Sequence, residues 1–132
     1  MAFSAYRDQS VSGLGKKQIV IFDKVLINDG DGYSQTTGVF IAPVDGAYYF
    51  TWNTASLGNK GALVSSISLN GKNVVSAAAE AGKFQMAGNS IILKLKRNDK
   101  ISIGIGRGAE MFSNFKEGWF YPVFSGTLLY KS

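Results

Sequence analysis

The chain has 132 residues, which is enough for a single domain over residues 1–132 with a hydrophobic core of its own. It contains no histidine and no cysteine, so Ser-His-Asp and Cys-His nucleophilic sites, disulfides and the usual zinc ligand sets are excluded. The formal net charge of +5 favours anionic partners, but the basic residues are spread along the chain without a nucleic-acid-binding signature, so no nucleic acid is expected as a partner.

The N-terminus shows none of the features of a targeting segment. Met1-Ala2-Phe3-Ser4 lacks the charged and apolar regions of a signal peptide, and no apolar run approaches the length of a membrane span. Either the protein is intracellular, or the chain begins after a leader that has been removed.

Apolar residues alternate with a period of two along the chain, which predicts an all-β fold. The first strong strand is expected over Gln18 to Val25, with apolar side chains on both faces, and a short strand over Thr37 to Ile41. An aromatic strand over Ala47 to Thr54 follows a turn of Pro, Asp and Gly. Its alternate aromatic side chains share one face, which must be buried.

The second half of the chain predicts five further strands. They are expected, in chain order, over Leu63 to Leu69, Val74 to Ala79, Ser90 to Lys96, Ile101 to Gly106 and Phe120 to Tyr130. Asn70-Gly71 between the first two predicts a tight hairpin, because both central residues of such a turn need a positive φ. Gly104 and Gly106 leave one face of the fourth strand almost bare, which indicates tight packing of another backbone or subunit on that side.

Many short strands with close turns are typical of a β-sandwich or barrel. The first and last strong strands are apolar on both faces, so another chain is expected to cover part of the sandwich. A closed symmetric oligomer is the simplest arrangement that does so.

Eight residues at fixed spacings carry a resemblance to a known family. They are similar to the signature of the C1q-type globular domain, the recognition head of the q subunit of the first complement component: Phe22, Asn28, Tyr33, Phe40, Gly46, Tyr48, Phe50 and Trp52. Only Trp52 departs from the pattern, because the family usually has Phe or Tyr there. Further likeness at Ala2 to Ala5, Thr37-Gly38 and Phe124 to Leu129 extends the resemblance over nearly the whole chain.

The resemblance implies a ten-stranded jelly-roll β-sandwich, similar to that of tumour necrosis factor ligands, which assembles as a homotrimer. It also implies a secreted, extracellular protein that is not an enzyme. Its ligands would be glycans, lipopolysaccharide or other anionic patterns on microbial surfaces, recognised in innate immunity. The alternative is a cytokine-like or matrix-associated trimer whose partner is a protein receptor. No Gly-X-Y stalk precedes the head, so the multi-headed bouquet of the complement protein itself is not encoded in this chain.

The segment from Arg107 to Trp119 is the longest connection between predicted strands. Loops on a rigid β-scaffold commonly carry the binding surface, where aromatic rings stack on sugars and cations pair with anionic groups. Arg107, Lys116 and Trp119 are therefore candidate ligand-binding residues. Alternatively, the aromatic residues of this segment cover the end of the sandwich or the trimer interface.

The only dense cluster of basic residues comprises Lys94, Lys96, Arg97 and Lys100. They are either a solvated surface or, if three copies converge in a trimer, a multivalent site for a repetitive anionic surface. Lys94 and Lys96 are therefore candidate ligand-binding residues as well, and such binding would weaken as salt is added.

Asp29 and Asp31 are candidate calcium ligands, because they offer carboxylate oxygens two residues apart in a glycine-containing loop. The EF-hand pattern fails, since Tyr33 and Phe40 stand where ligand oxygens are needed. No motif specifies a cofactor or metal, and the loop is interpreted as a polar turn of the framework.

Overall fold

The computed structural model describes residues 1–12, 15, 18–56, 61–107, 110–111 and 122–132, with the backbone alone for residues 11, 12, 107 and 110. Within these residues the chain forms strands and no helix. The strands are β1 (Ala2–Tyr6), β2 (Val11–Ser12), β3 (Lys24–Asp29), β4 (Phe40–Ile41), β5 (Gly46–Ser56), β6 (Leu63–Leu69), β7 (Lys72–Ala79), β8 (Gln85–Leu95), β9 (Lys100–Arg107), β10 (Glu110–Met111) and β11 (Val123–Lys131).

The strands form two larger sheets and one short ribbon. One sheet has the order β3-β1-β11-β5-β8, the other has the order β4-β9-β6-β7, and β10 pairs with β2. All of these pairings are antiparallel. The core cluster takes its side chains from both larger sheets, among them Phe3, Phe50, Phe124, Phe40, Ile67 and Ile103. The predicted all-β sandwich is therefore confirmed.

Stacked aromatic rings join the two larger sheets at the centre of the core. The Phe3 ring of β1 lies 5.0 Å from the Tyr33 ring and 5.0 Å from the Phe40 ring, stacked on both, and meets the Phe124 ring edge-on at 4.9 Å. Offset-stacked and edge-on geometries are the favourable ones for aromatic pairs, since they match the negative ring face with the positive edge.

The aromatic strand lies where the sequence places it. In β5 the side chains of Tyr48, Phe50 and Trp52 are buried. The Trp52 indole Nε1 donates a 2.9 Å hydrogen bond to the hydroxyl of Ser65, which is also buried. The indole N–H, which the Phe usual at this position lacks, thus has a hydrogen-bond partner. Trp52 therefore departs from the family pattern without leaving a buried donor unpaired.

The first predicted strand is displaced in the structure. The ladder is formed by Lys24–Asp29, whereas the prediction was Gln18 to Val25. Residues 18–20 instead run beside β9, where an isolated bridge joins Ile19 and Gly104. The prediction placed the strand several residues too early.

A tyrosine hydroxyl binds the backbone of Phe22, between the bridge at Ile19 and the start of β3. Tyr33 Oη accepts a hydrogen bond from the Phe22 backbone N–H at 3.1 Å and donates one to the Phe22 carbonyl at 2.8 Å. Both backbone groups of Phe22 are therefore taken. Val20 and Phe22 lie in the core while Ile19 is 38% exposed, so the chain itself buries one face of this segment, and cover of the other face by a second chain stays a prediction.

The predicted hairpin is confirmed. β6 and β7 pair around Asn70-Gly71, whose φ angles of 50° and 88° are both positive, as a two-residue turn of this type requires. The strand expected over Thr37 to Ile41 is shorter and comprises Phe40–Ile41. Residues 120 and 121 of the last predicted strand lie outside the described residues.

We expect Tyr33→Phe to lower the free energy of unfolding by about 1–3 kcal/mol, because it leaves the buried N–H and carbonyl of Phe22 without partners. Burial raises the pKa of Tyr33 to about 12 from its ordinary value of 10.0. The stability that the hydroxyl contributes is thus present below pH 10 and lost as the pH rises through 12, so the difference between the two proteins should narrow over that range.

Chemical denaturation at several pH values measures both effects. Tyr130→Phe is the matched control, because its ring is exposed and its change should stay within about 0.5 kcal/mol. Equal destabilisation by the two substitutions would contradict the role assigned to the Tyr33 hydroxyl.

Candidate functional site

The predicted site residues lie at opposite ends of the sandwich. Lys94 and Lys96 fall at the end of β8, and Lys100 begins β9, whereas Arg107 ends β9. At about 3.3 Å per residue, the two ends of this strand are about 23 Å apart. One protomer therefore does not join Lys94 and Lys96 to Arg107 in a single site. Lys116 lies outside the described residues.

Trp119 also lies outside the described residues, and the side chain of Arg107 is not described. The candidate site in the Arg107 to Trp119 segment therefore stays a prediction.

Five exposed cations lie together at the other end of the sandwich, which we call the basic end. They are Lys94, Lys96, Arg97, Lys100 and Lys131. Strand pairing brings them together, because Gly46 of β5 pairs with Leu95 of β8 on one side and with Lys131 of β11 on the other.

Asp45 fixes the chain at the basic end. Its carboxylate accepts a 2.7 Å hydrogen bond from the Arg97 backbone N–H, and its carbonyl accepts one at 3.1 Å from the N–H of Ser132. The charge of Asp45 is thus directed at a backbone group. The side chain of Arg97 is left exposed.

Asp99 orders the turn between β8 and β9 in the same way. Its carboxylate accepts hydrogen bonds from the Lys96 backbone N–H at 2.9 Å and from the Asn70 side-chain amide at 3.1 Å. The Asn70 amide oxygen in turn accepts one from the Lys100 N–H at 2.8 Å. The bond from Lys96, followed by that from Asn70, holds the pKa of the Asp99 carboxyl below its usual value.

The cations of the basic end are therefore free to meet a ligand. Within the described part of the chain the carboxylate salt bridge is that of Lys83 with Glu80 at 3.0 Å, away from this end. The Lys94 ammonium lies 5.8 Å from the centre of the exposed Tyr130 ring, a cation–π geometry that leaves the charge accessible.

The outward side of the five-stranded sheet carries large apolar side chains, and we call it the apolar face. Tyr49 of β5 pairs directly with Ile92 of β8, which is 60% exposed. Tyr130 adds a second exposed ring beyond a bulge in β11 between Leu128 and Tyr130. Adjacent apolar side chains on a sheet surface are typical of a contact surface between chains.

The loop with Asp29 and Asp31 is a framework turn. Asp31 donates its backbone N–H to the Asn28 carbonyl at 3.1 Å, and the Asn28 side chain bonds both the N–H and the carbonyl of Tyr33, at 3.1 and 2.8 Å. The described residues contain no group of three or more His, Cys, Asp or Glu side chains that could hold a metal ion. Calcium binding by Asp29 and Asp31 gains no support from this geometry.

A groove on the outward side of the four-stranded sheet was missed by the sequence analysis. It has a volume of about 400 Å³. We call it the outer groove, and its lining includes Ile19, Ser66, Ser68, Lys72, Asn73, Ser102, Gly104 and Gly106. The available signal was the run of small side chains at every second position of β6 and β9.

Close packing within the described part of the chain does not require the two glycines of β9, and the expected approach of another subunit on that side stays a prediction. A Cβ atom at Gly104 would lie 3.7 Å from the Gln18 carbonyl oxygen. A Cβ atom at Gly106 would lie 3.6 Å from the Val64 side chain. Both distances are ordinary van der Waals contacts. The glycines instead leave space open along the groove.

Residues 2–129 match the family model of the C1q domain. Among solved structures, the globular domain of zebrafish complement 1qA protein is 26% identical with a TM-score of 0.79, covering 99% of this chain and 98% of that chain. Murine APRIL at pH 5.0 is 12% identical with a TM-score of 0.75, over 97% of this chain and 98% of that chain. Eiger TNF from S. frugiperda is 12% identical with a TM-score of 0.75, over 100% of this chain and 94% of that chain.

At 12% identity, the last two structures share the fold alone. Together the matches confirm the jelly-roll sandwich that the signature implied. In the described part of the chain, no helix has the length and apolar character needed to cross a membrane.

We expect Asp99→Asn to destabilise the protein at pH 7 by less than about 1 kcal/mol, because the carboxylate bonds lie at a solvent-exposed turn. The lowered pKa means that this contribution is present above the unfolded-state pKa and is lost as the pH falls through the folded-state pKa. The two proteins should therefore become equally stable in strong acid.

Thermal denaturation from neutral to acid pH measures the difference. When both proteins also carry Asn70→Ala, the stability difference caused by Asp99→Asn should depend less on pH. The reason is that one of the hydrogen bonds that lower the pKa of the Asp99 carboxyl is gone. A stability difference that stays constant with pH would contradict this account of Asp99.

Proposed function

Because the chain belongs to the C1q domain family, we propose that residues 1–132 form one trimeric, non-enzymatic recognition domain for anionic ligands on microbial surfaces. Domains of this family are typically trimeric recognition or signalling domains, and they are binding domains without enzymatic activity. Proteins that carry them are generally extracellular. The proposal also includes that the protein is secreted and acts in innate immunity.

The apolar face supports the proposed trimer. Ile92 and Tyr49 lie side by side in the middle of paired strands, where burial against a second copy would remove apolar area from water. Three copies around a threefold axis can each offer the same surface without leaving an open end. Trimer assembly is typical of the family.

The basic end is the observation that carries the proposed ligand class. Its cations are exposed, and the nearby carboxylates of Asp45 and Asp99 accept hydrogen bonds from backbone N–H groups. In a trimer three such ends would act together, and linked weak contacts raise the affinity for a repetitive surface by orders of magnitude. Lys94 and Lys96 are therefore proposed as ligand-binding residues.

The alternative is a trimer that binds a protein receptor. The likeness to murine APRIL and to Eiger TNF extends to the fold alone, so it favours this function no more than the other. An array of glycans and lipopolysaccharides separates the two proposals, since a receptor ligand should leave it blank.

We expect Ile92→Lys to convert the trimer to monomers, because it places a charge in the middle of the apolar face. Light scattering on a size-exclusion column at micromolar concentration measures the mass. Val74→Lys is the control, since Val74 is an exposed apolar residue on β7 of the other sheet. A monomeric mass for the unsubstituted protein would contradict the proposed assembly.

We expect binding to immobilised lipopolysaccharide to fall by about tenfold or more between about 50 and about 300 mM salt, because exposed charges are screened. The double variant Lys96→Gln/Lys100→Gln should bind weakly at low salt and respond less to added salt. Lys24→Gln/Lys83→Gln removes the same charge away from the basic end and should bind like the unsubstituted protein. Binding that is insensitive to salt would overturn the role of the basic end.

A further inference from the structure

The outer groove lies on a different surface from the basic end and the apolar face. Its floor consists of the outward sides of β6 and β9, where Ser66 pairs with Gly104 and Ser68 pairs with Ser102. Lys72, at the start of β7, lies at its rim. With a volume of about 400 Å³, it has the size of a site for a small molecule.

Gly104 and Gly106 have no side chains, so they leave the groove deep at these two positions. Glycine in a strand interior weakens the strand, and it is found where a ligand or another backbone comes close. No atom of the described chain occupies the space of the missing side chains more closely than 3.6 Å. The nearest backbone, the Gln18 carbonyl, lies at ordinary contact distance from the Cβ position of Gly104, so the chain itself does not require the glycine.

The floor is polar and already ordered. The hydroxyls of Ser66 and Ser76 share a 2.6 Å hydrogen bond, and the Ser68 hydroxyl donates to Asn73 Oδ1 at 2.8 Å. Ser68 is 8% exposed, and having donated its hydrogen it presents its oxygen as an acceptor. The Asn73 amide adds two N–H donors at the same place.

Among the described residues that line the groove, Lys72 carries a charge and none is a carboxylate. Donors and acceptors side by side suit the hydroxyl groups of a sugar ring, and the ammonium suits a carboxylate, sulfate or phosphate substituent. The described lining residues therefore attract an anion through Lys72 and do not repel it.

We propose that the outer groove is a binding site for one saccharide unit that carries an anionic substituent. The ring lies over Gly104 and Gly106 against the serine hydroxyls, and the anionic group meets Lys72. The choice of a saccharide rests on the proposed function, whereas the position of the site rests on the geometry of the groove. Each protomer then holds its own sugar site, separate from the basic end.

Titration with glucuronic acid and with glucose, followed by the backbone amide signals of the intact protein in NMR spectra, tests the proposal. The expected result is that glucuronic acid shifts the signals of Ser102, Gly104 and Gly106, and that glucose does so more weakly. Gly104→Val should abolish these shifts, because its side chain fills the groove. Ala78→Val is the matched control, since it adds the same methyl groups on the same face of the sheet outside the groove.

Lys72→Gln tests the charge without filling the groove, and its exposed position poses little risk to folding. Its affinity for glucuronic acid should fall about tenfold, as for the loss of a hydrogen bond to a charged group, while its affinity for glucose stays unchanged. Lys24→Gln should alter neither.

Binding to immobilised lipopolysaccharide separates this proposal from the proposed function. If the protein binds lipopolysaccharide in a salt-dependent manner but glucuronic acid shifts no groove signal, the outer groove is not a sugar site and the proposed function stands. If Gly104→Val binds glucuronic acid as the unsubstituted protein does, the assignment of the sugar site to the outer groove is likewise overturned. If neither lipopolysaccharide nor any arrayed glycan is bound, the proposed function fails.

Discussion

The fold depends on the aromatic stack around Phe3, which joins the two sheets. Phe3 lies on β1 of the five-stranded sheet, and its ring stacks between Tyr33 and Phe40, the latter on β4 of the four-stranded sheet. The stack needs room on the neighbouring strand. A Cβ atom at Gly126 of β11 would lie 2.6 Å from the Phe3 ring, so only glycine permits the close approach.

The same stack determines the path of the chain before β3. Tyr33 is held in the core by Phe3, and from there its hydroxyl takes both backbone groups of Phe22. The segment upstream of β3 is thus anchored by the Tyr33 hydroxyl and by the Arg7 guanidinium, which donates to the Ile21 carbonyl at 3.0 Å, with backbone bonds to β9 beside them. Residues of the signature therefore build the framework, and the surfaces available for recognition lie elsewhere.

The sandwich offers three such surfaces, and the apolar face adjoins the basic end where the Lys94 ammonium lies over the Tyr130 ring. The apolar face lies outside the five-stranded sheet, the outer groove lies outside the four-stranded sheet, and the basic end lies where β5, β8 and β11 meet. Assembly through the apolar face would leave the outer groove on the outside of the oligomer. It would also place three copies of the basic end at one end of the oligomer. The arrangement allows one protein to combine a rigid trimer with repeated ligand contacts.

The sequence by itself determined what local pattern encodes: the all-β class, the aromatic strand, the Asn70-Gly71 hairpin and the framework role of Asn28. Alternation and turn chemistry are properties of neighbouring residues, so they can be read directly. The tertiary structure alone decided that Lys131 lies beside Lys94 and Lys96 at the basic end, and that Gly104 lines the outer groove. Both facts depend on strand pairing between residues distant in the chain, which a periodic pattern does not specify.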